Sequence, residues 1–328
     1  MKLAPPRPME GAAMSSTLER ILADTEVPDL LEILSERLSP TDLQSLMLAV
    51  YARRSAARSP ADVLADYERS RFFGAAPFAR ADYAAWEHVA DAVMADRFEV
   101  LALSPVAPLA SCAAVATVGQ GWSVPTVRTG EVVSDSTNIL ALEAALRRRR
   151  RPSDRALVHL ATTQRVVRPQ AYADPGMLAH FALMALVSTG RDHGSHSIEA
   201  EAVGLHLDTH LAAFSRLFGA GVRLSVGYTI VSNSHDDARR NAVMAAATRH
   251  GVAVAEEPGR EAAHGYYAGF CFHIWGEIGG ERYQLSDGGA VDWVGRLLSN
   301  AKERTLISGC GVEGALAMRA RMQGETAA

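Results

Sequence analysis

TQRVVRPQAYADPGMLAHFALMALVSTG, residues 163–190, is the stretch whose reading decides the fold. It reads as strand, loop, strand. Gln164 to Val167 ends in two β-branched residues, and Pro169 bars a helix and pushes its predecessor toward extended geometry. Asp174-Pro175-Gly176 is turn chemistry. His180 to Ser188 is almost wholly apolar, the pattern of a strand buried on both faces. Arg165 stands at the entry of this hairpin and His180-Phe181 at its exit. A guanidinium clamps a phosphate oxygen and a phenyl ring stacks on a base. The alternative for the same residues is a core hairpin with an arginine on its surface.

Composition bounds what such a hairpin serves. The chain has 328 residues, 48% hydrophobic and 21% charged, enough for one large or two modest globular domains. A net charge of −4 argues against a general polyanion binder and leaves a local basic patch open. The three cysteines, Cys112, Cys271 and Cys310, are odd in number and far apart, so neither a zinc site nor a disulfide framework is expected. A reducing cytoplasm fits best. No apolar run is long and charge-free enough for a membrane span, and the N-terminus lacks a signal-peptide pattern. Residues 1–15, with three prolines, read as a disordered tail.

Working outward toward the N-terminus, residues 134–138, SDSTN, lead into the helix ILALEAALRRRRR, with Asp135 or Ser136 as cap. Five arginines, Arg147 to Arg151, fall in its last turn, where the helix dipole favours cations; a solvated helix end or a phosphate or RNA contact accounts for them. FEVLALSPVAPLAS, residues 98–111, reads as a strand ended by Pro105. Trp86 to Ala95 reads as a helix facing a dimer partner. Residues 16–84 form a helical extension, with Ser39-Pro40 and Ser59-Pro60 as helix starts, suited to binding a partner protein.

Toward the C-terminus, a long amphipathic helix starts near Ser197. His206 and His210 share one of its faces, and surface histidines are favoured over a metal site because no third ligand follows. VRLSVGYTIVS alternates as a strand, and residues 264–289 read as a hairpin turning at Gly279-Gly280. TLISGCGVEGALAMRARM closes as strand, glycine turn, helix. No internal repeat is visible. The strands are joined mostly by hairpins, which predicts an α+β domain over residues 85–328, a largely antiparallel sheet flanked by helices.

Several segments, in this order, resemble the catalytic domain of class II aminoacyl-tRNA synthetases. The nearest branch holds histidyl-tRNA synthetase and the ATP phosphoribosyltransferase regulatory subunit. FEVLALSP is similar to the dimer-forming first motif, RVVRPQ…HF to the second, and GCGVEG to the third; YYAGFCF and DGGAVD resemble two further segments of that branch. The resemblance implies a homodimer with ATP and Mg²⁺ at the site. Arg165 would meet the α-phosphate and Phe181 would stack on adenine. Arg168, His180, Gly309, Gly311 and Glu313 complete the ATP side, with Glu313 holding the metal and sharing the catalytic role with Arg165. Asp135 would receive a substrate ammonium, with Thr137, Gln170, Tyr266 and Tyr267 on the substrate side.

The departures matter equally. Val167 stands where the second motif has glutamate, and Gly314 where the third has arginine. Ala262 and Ala263 replace the arginine before the tyrosine pair, and apolar Leu183 and Val187 replace polar contacts to histidine. No anticodon-binding domain follows the third motif, so ordinary charging of histidine tRNA is rejected, and whether any tRNA is a partner is left open. Two functions stay open. One is an enzyme that activates an amino acid or another carboxylate as an adenylate and passes it to a different acceptor. The other is a non-catalytic homodimer that senses an amino acid or nucleotide and regulates a partner. Under either, Arg165→Ala should abolish stabilisation by nucleotide.

Overall fold

A computed structural model describes residues 16–152, 154, 156–170, 178–231, 236–258, 260 and 266–324. The predicted tail, the Asp174-Pro175-Gly176 turn and Ala262-Ala263 lie outside these residues.

The chain begins with α1 (Ser16–Thr25), α2 (Leu30–Glu32), α3 (Pro40–Ala56) and α4 (Pro60–Arg69). Ser39 and Ser59 cap α3 and α4 by accepting from the backbone N–H of Asp42 and Asp62, each with proline following, as their sequence spacing dictates. No residue of these four helices is buried. Next come α5 (Arg80–Met94), β1 (Glu99–Val100), β2 (Val106–Pro108), β3 (Val124–Pro125), β4 (Gly130–Val132) and α6 (Ser136–Arg150). The organising hairpin is β5 (Val158–Val167) and β6 (His180–Arg191), followed by α7 (Ser197–Phe218), β7 (Arg223–Ile230), α8 (Asp237–His250) and β8 (Ala253–Glu256). The chain closes with β9 (Phe270–Ile278), β10 (Glu281–Val291), α9 (Trp293–Leu297), β11 (Glu303–Gly311) and α10 (Val312–Met322).

Eight strands form one sheet in the order β1-β5-β6-β11-β10-β9-β7-β8, antiparallel except for the β1–β5 and β7–β8 pairs. β2, β4 and β3 make a small second sheet. The α+β expectation holds. The β9–β10 turn falls at Gly279-Gly280, both at positive φ, which only glycine adopts without strain. β6 is buried from Ala182 to Gly190, so both of its faces are core.

Two apolar clusters sandwich the sheet. On one side Ala182, Met184, Leu186, Leu306 and Cys310 meet Trp86, Leu207, Phe214 and Leu316 of α5, α7 and α10. On the other, Leu160, Val166, Leu183, Ala185 and Ile307 meet Leu140 and Ala144 of α6 and Trp293 of α9. These sides are called the α7 face and the α6 face.

Three expectations need correction. FEVLALSP forms only the two-residue β1, with Leu101 the last residue whose backbone N–H bonds to β5, and Pro105 separates it from β2. α5 does not turn its apolar stripe outward: Trp86, Ala90, Val93 and Met94 are buried in this chain's own core, with the Trp86 and Phe214 rings 6.2 Å apart. The arginine-rich end of α6 is not wholly solvated. Arg148 is buried and makes a two-pronged ion pair with Glu303 at 2.9 and 3.0 Å.

Candidate functional site

The hairpin register decides which side chains share a site. β5 and β6 pair so that Arg165 opposes Ala182, Val166 opposes Phe181 and Val167 opposes His180. Directly opposed residues project to the same face, and a shift of one residue exchanges the faces. Arg165 therefore lies on the α7 face and Phe181 on the α6 face. The expected clamp, with guanidinium and phenyl ring across one nucleotide seat, is not what the register builds.

Arg165 instead belongs to a closed polar knot at the end of the sheet. Its Nη2 donates to Glu313 Oε1 at 3.1 Å and lies 2.9 Å from His180 Nδ1, and its guanidinium carbon is 5.5 Å from the centre of the Tyr83 ring. Glu313, in the first turn of α10, is 6% exposed. It also accepts from the Ala182 N–H at 2.9 and 3.1 Å and from the Tyr83 hydroxyl at 3.0 Å. Four donor contacts occupy this carboxylate, so it does not fit the role of a Mg²⁺ ligand. His180 Nε2 donates to the Gly74 carbonyl at 2.9 Å, which leaves Nδ1 to accept from Arg165. Arg71 donates to the carbonyls of Pro169 and Gln170. The segment preceding α5 is thus laced onto the hairpin.

Gly309 and Gly311 are partly exposed, with β6 side chains beside them. Leu183 Cδ1 lies 3.1 Å from where a Cβ on Gly309 would sit, and Phe181 Cδ2 lies 3.9 Å from the same point on Gly311. These glycines let β6 side chains lie across β11. The ATP assignments of Arg165, His180 and Glu313 do not match this geometry, whereas Gly309 and Gly311 lie on the same face as Phe181. Among the described residues, no group of three or more His, Cys, Asp or Glu is arranged to hold a metal ion.

The α6 face does gather other polar groups. Arg168 shares it with Phe181, its guanidinium carbon 5.0 Å from the ring centre. Arg168 Nε donates to the Ser134 carbonyl at 3.0 Å and Nη2 to Asp135 at 3.4 Å. Asp135 caps α6, accepting from the Thr137 N–H at 2.9 Å and the Thr137 hydroxyl at 2.7 Å. Tyr266 and Tyr267 meet edge to face at 4.8 Å. Tyr267 rests on the sheet because Gly289 has no side chain; a Cβ there would fall 2.5 Å from its ring. Burial pushes both phenols well above their ordinary range, and Asp135 for Tyr266 and Asp287 for Tyr267 add to this.

Sequence reasoning missed a second Asp–Arg pair on this face. Arg260 Nη2 donates to Asp287 Oδ2 at 2.7 Å, and its Nη1 lies 3.5 Å from Cys271 Sγ. Asp287 stands directly opposite His273, and His273 opposite Gly227. The signal was the period-two run Cys271, His273, Trp275, which sends three chemically capable side chains to one face. Burial lifts the Cys271 thiol to about 11, so it is no nucleophile near neutrality. The α6 face thus carries two Asp–Arg pairs, Asp135–Arg168 and Asp287–Arg260, with Tyr266 feeling both carboxylates and Tyr267 feeling Asp287.

No protein-family model and no curated protein matches the chain. Solved structures do. The chain is similar to histidyl-tRNA synthetase from S. aureus at 13% identity, covering 75% of this chain and 67% of that one with a TM-score of 0.56. It is similar to histidyl-tRNA synthetase from Nostoc sp. PCC 7120 at 12% identity, covering 78% and 75% with a TM-score of 0.56. An ATP phosphoribosyltransferase regulatory subunit/histidyl-tRNA synthetase from Bacillus halodurans C matches at 14% identity, covering 74% and 88% with a TM-score of 0.50. At such low identity these structural matches establish architecture: this chain has the fold of the class II aminoacyl-tRNA synthetase catalytic domain.

Proposed function

We propose that this chain is a non-catalytic protein on the class II synthetase fold, one that binds a small amino-acid-like ligand on its α6 face and regulates a partner. The observation that carries this reading is the Arg165–Glu313 pair. The two side chains on which an adenylate-forming site was expected to depend are tied to each other on the far side of the sheet. Electrostatic catalysis of adenylation asks for cations aimed where charge develops on the phosphates, and a guanidinium facing α10 is aimed elsewhere. The two Asp–Arg pairs beside the tyrosines supply both signs of charge, as recognition of an ammonium and a carboxylate in one molecule requires. The reading takes the protein as a homodimer, with the fully unburied helices α1 to α4 as the surface for a partner protein.

One observation favours a second reading, an adenylate-forming enzyme. Arg168 and Phe181 do share the α6 face, a cation and a ring that together suit a nucleotide. ATP–pyrophosphate exchange across the twenty amino acids separates the two. The expected result is no exchange with any of them, alongside a melting-temperature rise with at least one. Exchange with any amino acid overturns the proposal in favour of the enzyme.

A further inference from the structure

The β9–β10 end of the α6 face holds two hydrogen-bonding atoms that the protein leaves unused. Asp287 Oδ1 and His273 Nδ1 are both covered from solvent, and neither has a hydrogen-bond partner. Leaving a buried acceptor unpaired costs about 1–3 kcal/mol. Among the buried side-chain atoms without a partner, these two stand apart in lying on directly opposed residues of adjacent strands. They project to one face, with Cβ atoms ~4.5–5.5 Å apart as for any opposed pair.

The surroundings fix what the two atoms are. His273 is 2% exposed, and its Nε2 lies 2.7 Å from Glu257 Oε2, off the ideal hydrogen-bond direction. A carboxylate at that distance draws the ring proton to Nε2, which leaves a lone pair on Nδ1. Burial, reinforced by Arg260, lowers the histidine's pKa, consistent with a neutral ring. Gly227 makes this arrangement possible: a Cβ there would fall 2.4 Å from His273 Nε2 and 2.6 Å from Glu257 Oε1. Asp287 is held through its other oxygen by Arg260, so Oδ1 also presents a lone pair. Both free atoms are acceptors.

Charge narrows the ligand. Arg260 offsets Asp287, and Arg282, 3.3 Å from Glu257, offsets that carboxylate. Two positive and two negative groups around a neutral imidazole sum to zero. The pair calls for N–H donors without a net charge. A carboxylate in the same place would set its oxygens against two acceptors. The Asp287 side chain is 35% exposed, so the group opens to the surface beside it, and the soft terminal torsion of a carboxylate lets Oδ1 swing toward an incoming donor.

We infer that Asp287 and His273 form a subsite for a planar, uncharged –NH₂ group, a primary carboxamide, at the side-chain end of the ligand. This rests on the binding function proposed above and names the chemistry the face selects. The carboxamide can belong to an amino acid or to a heterocycle, and isosteric amide and acid pairs distinguish the sources: glutamine with glutamate, asparagine with aspartate, nicotinamide with nicotinate. A site built to hydrogen-bond an N–H rejects the analogue lacking it by large factors.

Calorimetric titration of the full chain with these six compounds tests the inference. The expected result is that one amide binds at least tenfold tighter than its acid. His273→Phe, which removes the acceptor and keeps an aromatic ring, should reduce that ratio toward one. His273→Gln, which keeps a side-chain acceptor, should restore part of it. Asp287→Asn, whose amide oxygen faces Arg260 and whose –NH₂ then stands as a donor in place of the free acceptor, leaves a net positive charge and should shift preference toward the acid. Amide and acid binding equally, or a ratio unchanged in His273→Phe and Asp287→Asn, overturns the subsite while leaving ligand binding intact. If none of the six binds, the subsite is overturned, and ordered water is what satisfies the two acceptors. The amino-acid melting screen then decides by itself whether the wider binding function survives.

Discussion

The two faces of one sheet use polar residues differently. On the α7 face, two polar networks close within the protein, although Trp86 Nε1, Thr163 Oγ1, His210 Nδ1 and Ser286 Oγ are left without a partner. Glu313 is enclosed by donors from three elements, and a line of hydrogen bonds runs from His159 through Ser188, His206 and Ser308 to His210, each contact 2.7–2.9 Å. On the α6 face, polar groups pair only in part and leave acceptors unspent. Buried polar networks that are nearly complete fasten elements together, and a buried atom without a partner calls for an explanation such as a bound group or ordered water. The α6 face has a fastening of its own in Arg148–Glu303, and its candidate ligand surface lies on the same face of the sheet around β9 and β10. Arg165 and Glu313, given catalytic roles from the sequence, fall on the α7 side and pair with each other there.

The largest effect that would sharpen this contrast comes from Glu313→Ala. It removes a carboxylate 6% exposed and leaves the Ala182 N–H and the Arg165 guanidinium without it. Destabilisation of about 2–4 kcal/mol is expected by urea denaturation, discounted for the partial exposure of Arg165. The matching change on the other face, Asp287→Ala, should cost less. Equal costs would mean that the faces do not differ as described.

The next effect is titration of the histidine line. Sequence reading took His206 and His210 as surface residues because no third metal ligand follows them. Both are fully buried, and the serines of β6 and β11 that receive them lie 18 to 102 residues away in the chain. Burial holds His210 at about 3 and His206 well below its ordinary 6.5. The unfolded chain takes up those protons near 6.5, the folded chain only far lower. Stability is then fully present above about pH 6.5 and drains as the pH falls, by on the order of 2 kcal/mol at pH 5 for His210 alone. Melting temperature against pH should show this slope, and His210→Phe should flatten it. A variant with an unaltered slope would place the acid sensitivity elsewhere.

Much of the architecture was legible locally. Proline at 169, the apolar run into β6, the Gly279-Gly280 turn and the serine–proline helix starts each act within a few residues, and each element formed where those signals stood. What was not legible is parity. β6 is buried on both faces, so its sequence carries no in-out alternation to say which face Phe181 takes. Arg165 and Phe181 were each assigned a role from motif resemblance, but only the pairing of Arg165 with Ala182 reveals that they part company. Asp287 and Arg260 were missed for a related reason. Asp287 opens the DGGAVD segment, but its partnership with Arg260 spans 27 residues and two strands, and no local pattern links the two.

A smaller effect tests how the α6 face is built. Gly289→Ala places a methyl 2.5 Å from the Tyr267 ring and 2.6 Å from the Phe270 carbonyl, which is backbone and gives little. A cost of about 1–3 kcal/mol is expected, with Tyr267 displaced. Near-ultraviolet circular dichroism should register the displaced tyrosine, and ligand stabilisation should weaken more than stability itself. Weakening of stability alone would detach Tyr267 from the ligand surface.

The smallest expected effect is the most discriminating. Arg165→Ala removes the side chain that sequence reasoning made the phosphate clamp. Its register pairing puts it on the α7 face, and its partners there are Glu313, His180 and Tyr83. The pair with Glu313 is 41% exposed on the arginine side, so its loss should cost no more than ~1 kcal/mol. Whatever rise in melting temperature a ligand gives the unaltered chain should survive in the variant, because a guanidinium across the sheet touches nothing bound to the α6 face. The control is Arg168→Ala, which strips a cation from the same face as Phe181 and should diminish that rise. If the order is reversed, with Arg165→Ala abolishing stabilisation and Arg168→Ala sparing it, the ligand sits on the α7 side and the division of labour between the faces is the wrong way round.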